Sequence, residues 1–280
     1  MVAWGTTGLV CLDAAAQTVI KIPHDDDNSC KVQVEKSIYK RFDQQGAHAR
    51  VLRYYGPYKS GIRLELAPNW NLSSYLRKHP EIGIEQRLRW ACQVTDALCF
   101  VHNANVIHGN LTLNNVFLTK DLDVKLAEFG GSSLDGSQLL VSVHASHRYP
   151  GPLLPTNADI FALGSVYYTI MTGKMPYHDL PEEAIRALFK QGKFPDTGAI
   201  GPLGSIIKRC WQGEYKSAAQ VHEEINGINL IVIHEFILKI DRFQPGQVGI
   251  HSWRNNCPPG IHICPTRRNR NCHDYPPIAT

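Results

Sequence analysis

The side-chain pattern changes period at Ala67-Pro68, and that change limits the fold more than any other feature of the 280-residue chain. Ahead of it, four short runs rich in β-favouring residues recur: Gly8–Leu12, Thr18–Ile22, Val51–Tyr55 and Ile62–Leu66. Runs of this length, bounded by Gly, Pro, Asn and Asp, read as strands. One helix interrupts them, Val32–Phe42, with Val34, Ile38, Tyr39 and Phe42 on one side. The acidic stretch Asp25–Ser29 reads as a helix breaker before it, with Ser29 as its cap. Gly56-Pro57 and Ser60-Gly61 mark the turn between the last two strands.

Beyond Pro68 the period is helical. Leu72–Arg77 is short, and Ile84–His102 is long with Ile84, Leu88, Ala91, Thr95, Leu98 and His102 on one stripe. Asp159–Met171 is apolar on most sides, which marks a buried central helix ended by Gly173. Glu182–Gln191 and Gly204–Trp211 are further helices. Between the long helix Ile84–His102 and the central one, Val116–Leu118 and Val124–Leu126 form a hairpin across residues 119–123. A small sheet with one helix, followed by a larger helical lobe, is an α+β chain of two lobes, and the cleft at the joint is the natural ligand site.

Composition sets outer limits. With 43% hydrophobic and 19% charged residues, the chain buries a core and is not disordered. A formal net charge of +4, much of its excess at Arg267, Arg268 and Arg270, is too weak to argue for nucleic acid. No apolar run is long enough to span a membrane, and the first residues lack the basic and apolar regions of a signal peptide. An intracellular location, cytoplasmic or nuclear, is therefore expected. Cys11, Cys30, Cys92, Cys99 and Cys210 read as buried free thiols. Cys257, Cys264 and Cys272, with His262 and His273, have no C-x-x-C pair, so an unstructured tail is preferred there to a zinc site.

The residues with chemical potential fall in a fixed order. Gly5 and Gly8 flank Thr6-Thr7, an arrangement that suits either an ordinary turn or a loop that lets backbone N–H groups approach phosphate. Lys21 stands on a strand and Glu35 on the next helix; such charges are ordinarily solvated. Leu64, Glu65, Leu66 and Ala67 close the last strand. His108–Asn115 is a polar loop between two strands, and it contains no acid. Glu128-Phe129-Gly130 follows the hairpin, Asp159 opens the central helix, and Cys210-Trp211 comes near the end.

In that order, these segments resemble the eukaryotic protein kinase signature, from Ala3 to about Ile225. Trp4–Val10 resembles the second half of the glycine-rich loop, with Ala3 where the first glycine belongs. Lys21 resembles the lysine that holds the α- and β-phosphates, and Glu35 its ion-pair partner. Leu64–Ala67 resembles the gatekeeper and hinge, where an adenine bonds to backbone near Glu65 and Ala67. His108–Asn115 resembles the catalytic loop H-R-D-L-x-x-x-N, and Glu128-Phe129-Gly130 the metal-binding D-F-G. Asp159 corresponds to the residue that holds the catalytic-loop backbone. The resemblance implies ATP and Mg as cofactors. Gly5, Gly8, Val10, Lys21, Glu35, Glu65 and Ala67 would lie around the nucleotide, and Asn115 and Glu128 on the metal. It divides the chain into an N-lobe at 1–67, a C-lobe at 68–228 and a partly disordered extension at 229–280.

The departures from the family cluster at its chemistry. Asn110 stands where the catalytic base belongs, and a neutral amide is no base near pH 7; that loss costs roughly 10²–10⁴-fold in rate. Glu128 replaces Asp and moves its oxygens by one methylene against a metal that demands strict geometry. Gly109 replaces the Arg that would receive a phosphate on Ser132, Ser133 or Ser146. Tyr149-Pro150-Gly151 stands at the A-P-E position without its Glu, and residues 213–219 offer only Lys216 in place of its Arg partner, so both halves of that salt bridge are gone. Thr112 replaces the Lys typical of serine/threonine kinases. A kinase-like domain with impaired phosphotransfer, acting as a binding module on a protein partner, is the expectation. An active serine/threonine-type enzyme and a decayed product without selected activity are the alternatives.

Overall fold

The computed structural model describes residues 2–4, 8–151 and 155–228, all within one compact unit of residues 1–235. Gly5 and the whole of 229–280, including the cysteine-rich tail, lie outside the described residues. The first part is a five-stranded sheet of β1 (Val2–Trp4), β2 (Gly8–Asp13), β3 (Thr18–Pro23), β4 (Tyr54–Tyr58) and β5 (Gly61–Glu65), in the order β1-β2-β3-β5-β4. Every pairing is antiparallel, with Lys21 of the central β3 opposite Val10 on one side and Ile62 on the other. Helix α1 (Asp26–Gln44) lies on the sheet through Val32, Ile38, Tyr39 and Phe42, all buried.

Two local readings are corrected. The stretch Asp25–Ser29 does not break the helix: the Ser29 N–H and hydroxyl both donate to the Asp25 carbonyl at 3.1 Å, so Ser29 sits within the first turn and caps nothing. Acidic residues are favoured there by the positive end of the helix dipole. Gly56-Pro57 is no turn either. It lies inside β4, where the register shifts after Tyr54 and Gly56 takes a φ of 112°, a bulge. Because β4 is an edge strand, the N–H that Pro57 lacks is not missed; the chain turns one step later, at Lys59-Ser60.

The helical part follows: α2 (Leu72–Lys78), α3 (Ile84–Asn103), α4 (Pro155–Thr172), α5 (Glu182–Lys190), α6 (Leu203–Gln212) and α7 over 218–228. Two short ribbons carry the loops of interest: β6 (Val106–Ile107) with β9 (Ser133–Leu134), and β7 (Val116–Leu118) with β8 (Val124–Leu126). Helix α4 buries Phe161, Leu163, Val166, Tyr167 and Ile170, in keeping with its apolar circumference. The Tyr167 hydroxyl meets that of Thr95 on α3. Among the five described cysteines, all free, only Cys210 is buried and Cys30 is exposed, so the reading of all five as buried holds for one.

A 3-10 turn at Ala145–His147 is tied to this core. The Trp211 indole donates to the Ser165 hydroxyl at 3.0 Å, and that hydroxyl donates to the Ser146 carbonyl at 2.6 Å. Glu182 at the start of α5 accepts the Ala145 N–H at 3.2 Å. The Ser146 hydroxyl lies between Nδ1 of His144, at 2.8 Å, and Nδ1 of His147, at 2.9 Å. Nε2 of His147 is buried without a partner. Burial, aided by the nearby His144, pushes the His147 imidazole down to about 3.

Below about pH 6.5 the unfolded chain binds a proton at His147 that the folded chain refuses, so stability falls with pH from there toward 3. At about 1.4 kcal/mol per unit, the cost at pH 5 is about 2 kcal/mol. Denaturation at pH 7.5 and pH 5 should show this loss in the wild type and a shallower loss in His147→Gln; equal slopes would contradict it.

Candidate functional site

Between the sheet and the helices lies a cavity of about 550 Å³, within the range of small-molecule sites. Its upper wall is Val10, Val19 and Leu64; below and beside them stand Leu66, Trp70 and Phe117. The strand alternation places Val19 and Lys21 on the same face of β3, so the lysine lies at the inner end of an apolar slot. Past β5 the chain is extended at Leu66 and Ala67 and unpaired; the Ala67 carbonyl accepts from Trp70 N–H at 3.1 Å.

At the inner end Lys21 is 1% exposed and Glu35 is fully buried. Nζ of Lys21 donates to Oε2 of Glu35 at 2.7 Å and to Oε2 of Glu128 at 3.0 Å. Burial alone would lower the lysine; the charges of Glu128 and Glu35 outweigh it and hold the ammonium above its ordinary range. Oε1 of Glu35 accepts the Phe129 N–H at 3.1 Å, which fixes the EFG segment to α1. Glu128 itself has a φ of 68°, in the left-handed region. Behind the pair, Tyr39 packs edge-on to Phe129, with 5.5 Å between ring centroids.

The loop at 108–115 is built from neutral parts around one buried carboxylate. Asp159 accepts the His108 N–H with Oδ2 and the Gly109 N–H with Oδ1, each at 2.8 Å, and pairs with Nε2 of His102 at 3.0 Å. Burial would raise this carboxyl, but His102 and the Gly109 amide hold it below its usual range. His108 donates Nε2–H to the Ala127 carbonyl at 3.0 Å and accepts the Asn110 N–H at Nδ1, 3.2 Å away. The bond accepted at Nδ1 requires the neutral ring, and burial lowers its proton affinity accordingly. The Asn115 amide donates to the Asn110 carbonyl at 2.7 Å. Gly109 has a φ of 72°, and a Cβ there would collide with Cδ2 of Leu139. Ser132, Ser133 and Ser146 are buried, and the Ser132 hydroxyl donates to the His108 carbonyl at 2.8 Å.

The structure brings Val10, Lys21, Glu65, Ala67, Asn115 and Glu128 together on the cavity wall, with Glu35 directly behind Lys21. Asn110 lies beside the cavity rather than in its lining, joined to it through Asn115. Gly8 opens β2 where a Cβ would run into the Ile22 carbonyl, so strand approach accounts for this glycine. The Glu65 carboxylate turns to Lys125, at 2.9 Å. Trp70, Asn71 and Phe117 also line the cavity, unmarked in the sequence. Their signal is local: Trp70 has a φ of 60°, and Asn71 bridges to Phe117.

An ordered array of a sheet-borne lysine, its helix-borne glutamate, an aspartate-held loop and an apolar interlobe cleft defines a protein-kinase-like domain. A family model for protein tyrosine and serine/threonine kinases matches residues 10–228. The chain belongs to this family. It is 32% identical over 149 residues to the serine/threonine-protein kinase PDK1 of Cryptococcus neoformans var. grubii, which is 47% of this chain and 12% of that protein. It is 25% identical over 215 residues to the serine/threonine/tyrosine-protein kinase HT1 of Arabidopsis thaliana, 71% of this chain and 55% of that one. With the tyrosine-protein kinase Srms of Mus musculus it shares 25% over 203 residues, 65% and 41% of the two chains. The chain thus spans about half the length of these relatives or less. Among the described residues no helix is long and apolar enough to cross a membrane.

ATP with Mg is what the family implies for this cleft. The apolar slot and the free edge at Ala67 suit a flat base. At the inner end one ammonium faces two carboxylates, the same set of one cation and two acids that the family signature places there. The carboxylate at the metal position is bonded to the lysine, and the Asn115 amide gives its N–H to Asn110, which leaves its Oδ1 open to a metal ion.

Two substitutions test this construction. Lys21→Met leaves two carboxylates facing each other without a cation and should cost about 3–5 kcal/mol in urea denaturation; a neutral effect would show that the ion group is not buried as described. Gly109→Arg, which restores the family residue, should destabilise by roughly 1–3 kcal/mol because a side chain is strained at a φ of 72°, and a gain in stability would contradict that backbone.

Proposed function

We propose that this domain is a pseudokinase or a very weak kinase that serves as a binding module. One observation carries the reading: the catalytic-base position is Asn110, a neutral amide whose backbone is fully engaged in holding the loop. Phosphoryl transfer depends on positioning and on metal charge as much as on the base. Glu128, bonded to Lys21, is a poor source of that metal site. Supporting the same reading, the scaffold around the lost groups is retained: Asp159 still grips the loop and Glu35 still grips Lys21.

The second reading is an active serine/threonine-type kinase. The family match, relatives so named and the intact Lys21–Glu35 pair favour it. Under either reading the partner is a protein, with neither nucleic acid nor membrane as ligand, and the location is intracellular.

Phosphotransfer to a generic protein substrate separates the two. Wild type should give no transfer above the Lys21→Met background, and Asn110→Asp alone should not switch it on, because Glu128 still occupies Lys21. Wild-type transfer that Lys21→Met abolishes would replace the pseudokinase reading with the active-enzyme one.

A further inference from the structure

The turn at Ala145–His147 is held at its start by a side chain that can change charge. His144 is its cap: Nδ1 accepts the Ser146 N–H at 3.2 Å and lies 2.8 Å from the Ser146 hydroxyl. An imidazole nitrogen that accepts carries no hydrogen, so the cap requires the neutral ring with its proton on Nε2. Ser146 is fully buried, so its N–H depends on that nitrogen. The His144 side chain is 42% exposed and exchanges protons with solvent. Its Nε2 faces Oε1 of Glu182 on α5 at 3.9 Å, beyond hydrogen-bond reach. The other oxygen, Oε2, is taken by the Ala145 N–H at 3.2 Å and by Arg186 at 2.6 Å. Burial would raise this carboxyl, but His144, the Ala145 amide and Arg186 hold it below its usual range, so it is ionised wherever an imidazole charges. Glu182, Arg186 and, within the turn, His147 are the titratable groups placed against His144. From the connection between α4 and α5 the uncharged Met175 reaches Ser146, with Sδ 3.8 Å from the hydroxyl.

We propose that His144 is a pH-operated latch on this turn: neutral, it caps Ser146; protonated, it gives up the cap, pairs with Glu182 and frees the turn. Two effects act in the same direction. A hydrogen on Nδ1 would face the Ser146 N–H, a donor against a donor, and a buried N–H is costly to leave unbonded. The same charge draws Nε2–H across the 3.9 Å gap to the Glu182 carboxylate. His147 cannot serve as the switch instead, because burial keeps it neutral down to about pH 3. The segment so freed runs into Tyr149-Pro150-Gly151, ahead of α4. The latch is independent of whether the domain transfers phosphate.

The test is an NMR titration of the full wild-type chain from about pH 8 to about pH 5.5, within the range where imidazoles change charge. At the upper end the His144 ring should carry its hydrogen on Nε2. As the ring charges, the Ser146 amide proton should move upfield with the same midpoint. Its hydrogen exchange, corrected for the intrinsic rate, should accelerate by about fivefold or more, the effect of losing one hydrogen bond. His144→Asn retains an acceptor at the cap and does not titrate, so its Ser146 amide should keep its shift and its protection across the range. A Ser146 amide that stays in place while His144 charges overturns the proposal. So does the same shift in His144→Asn. The wild-type titration decides by itself, so a poorly folding His144→Asn protein leaves the test standing.

Discussion

The ammonium of Lys21, set between Glu35 and Glu128, is the interaction on which the rest of the site depends. It joins three elements: the central strand β3, helix α1 and the segment after β8. A buried cation needs its partners in place, so the position of α1 over the sheet and the course of the chain at 128–129 are set together. Glu35 makes the coupling tighter by accepting the Phe129 N–H with its second oxygen. Phe129 in turn packs on Tyr39 and Phe42 of the same helix. The ion group and the aromatic cluster behind it therefore close the interlobe cleft from one side.

A second buried charge, Asp159, holds the loop at 108–115 from below. Its two oxygens take consecutive backbone amides, which fixes a turn that passes through the left-handed conformation at Gly109. Nothing in this scaffold requires an acid at residue 110 or a guanidinium at 109. The first is replaced by an amide that leaves the loop bonds intact, and the second by a glycine against which Leu139 lies. The parts that position and the parts that react are physically separate in this fold, so the second set can change while the first is retained. That separation explains how the family is recognisable from a loop whose reactive group is absent.

Much of this was legible in the sequence because it is encoded by period and order. The strand runs, the long stripe of α3 and the apolar circumference of α4 depend on local pattern, and the pairing of Lys21 with Glu35 follows from their place in the family order. What was not legible depends on distant neighbours. Ser29 reads as a cap until its bonds to the Asp25 carbonyl show it inside the first turn. Gly56-Pro57 reads as a turn until β4 proves to be an edge strand, where a bulge and a missing N–H are both tolerated. Gly109 reads as a lost phosphate acceptor, yet its neighbour Leu139 lies thirty residues on. The bond from Glu128 to Lys21 spans more than a hundred residues, so no local pattern announces it.

The central claim is that Lys21 is held between Glu35 and Glu128, which ties β3, α1 and the segment after β8 together. A crystal structure of the wild-type chain grown with excess ATP and Mg²⁺ tests it most directly. The expected result is Lys21 within hydrogen-bonding distance of both Glu35 and Glu128. A structure with the lysine on a phosphate oxygen and Glu128 turned away to a metal ion would contradict the account.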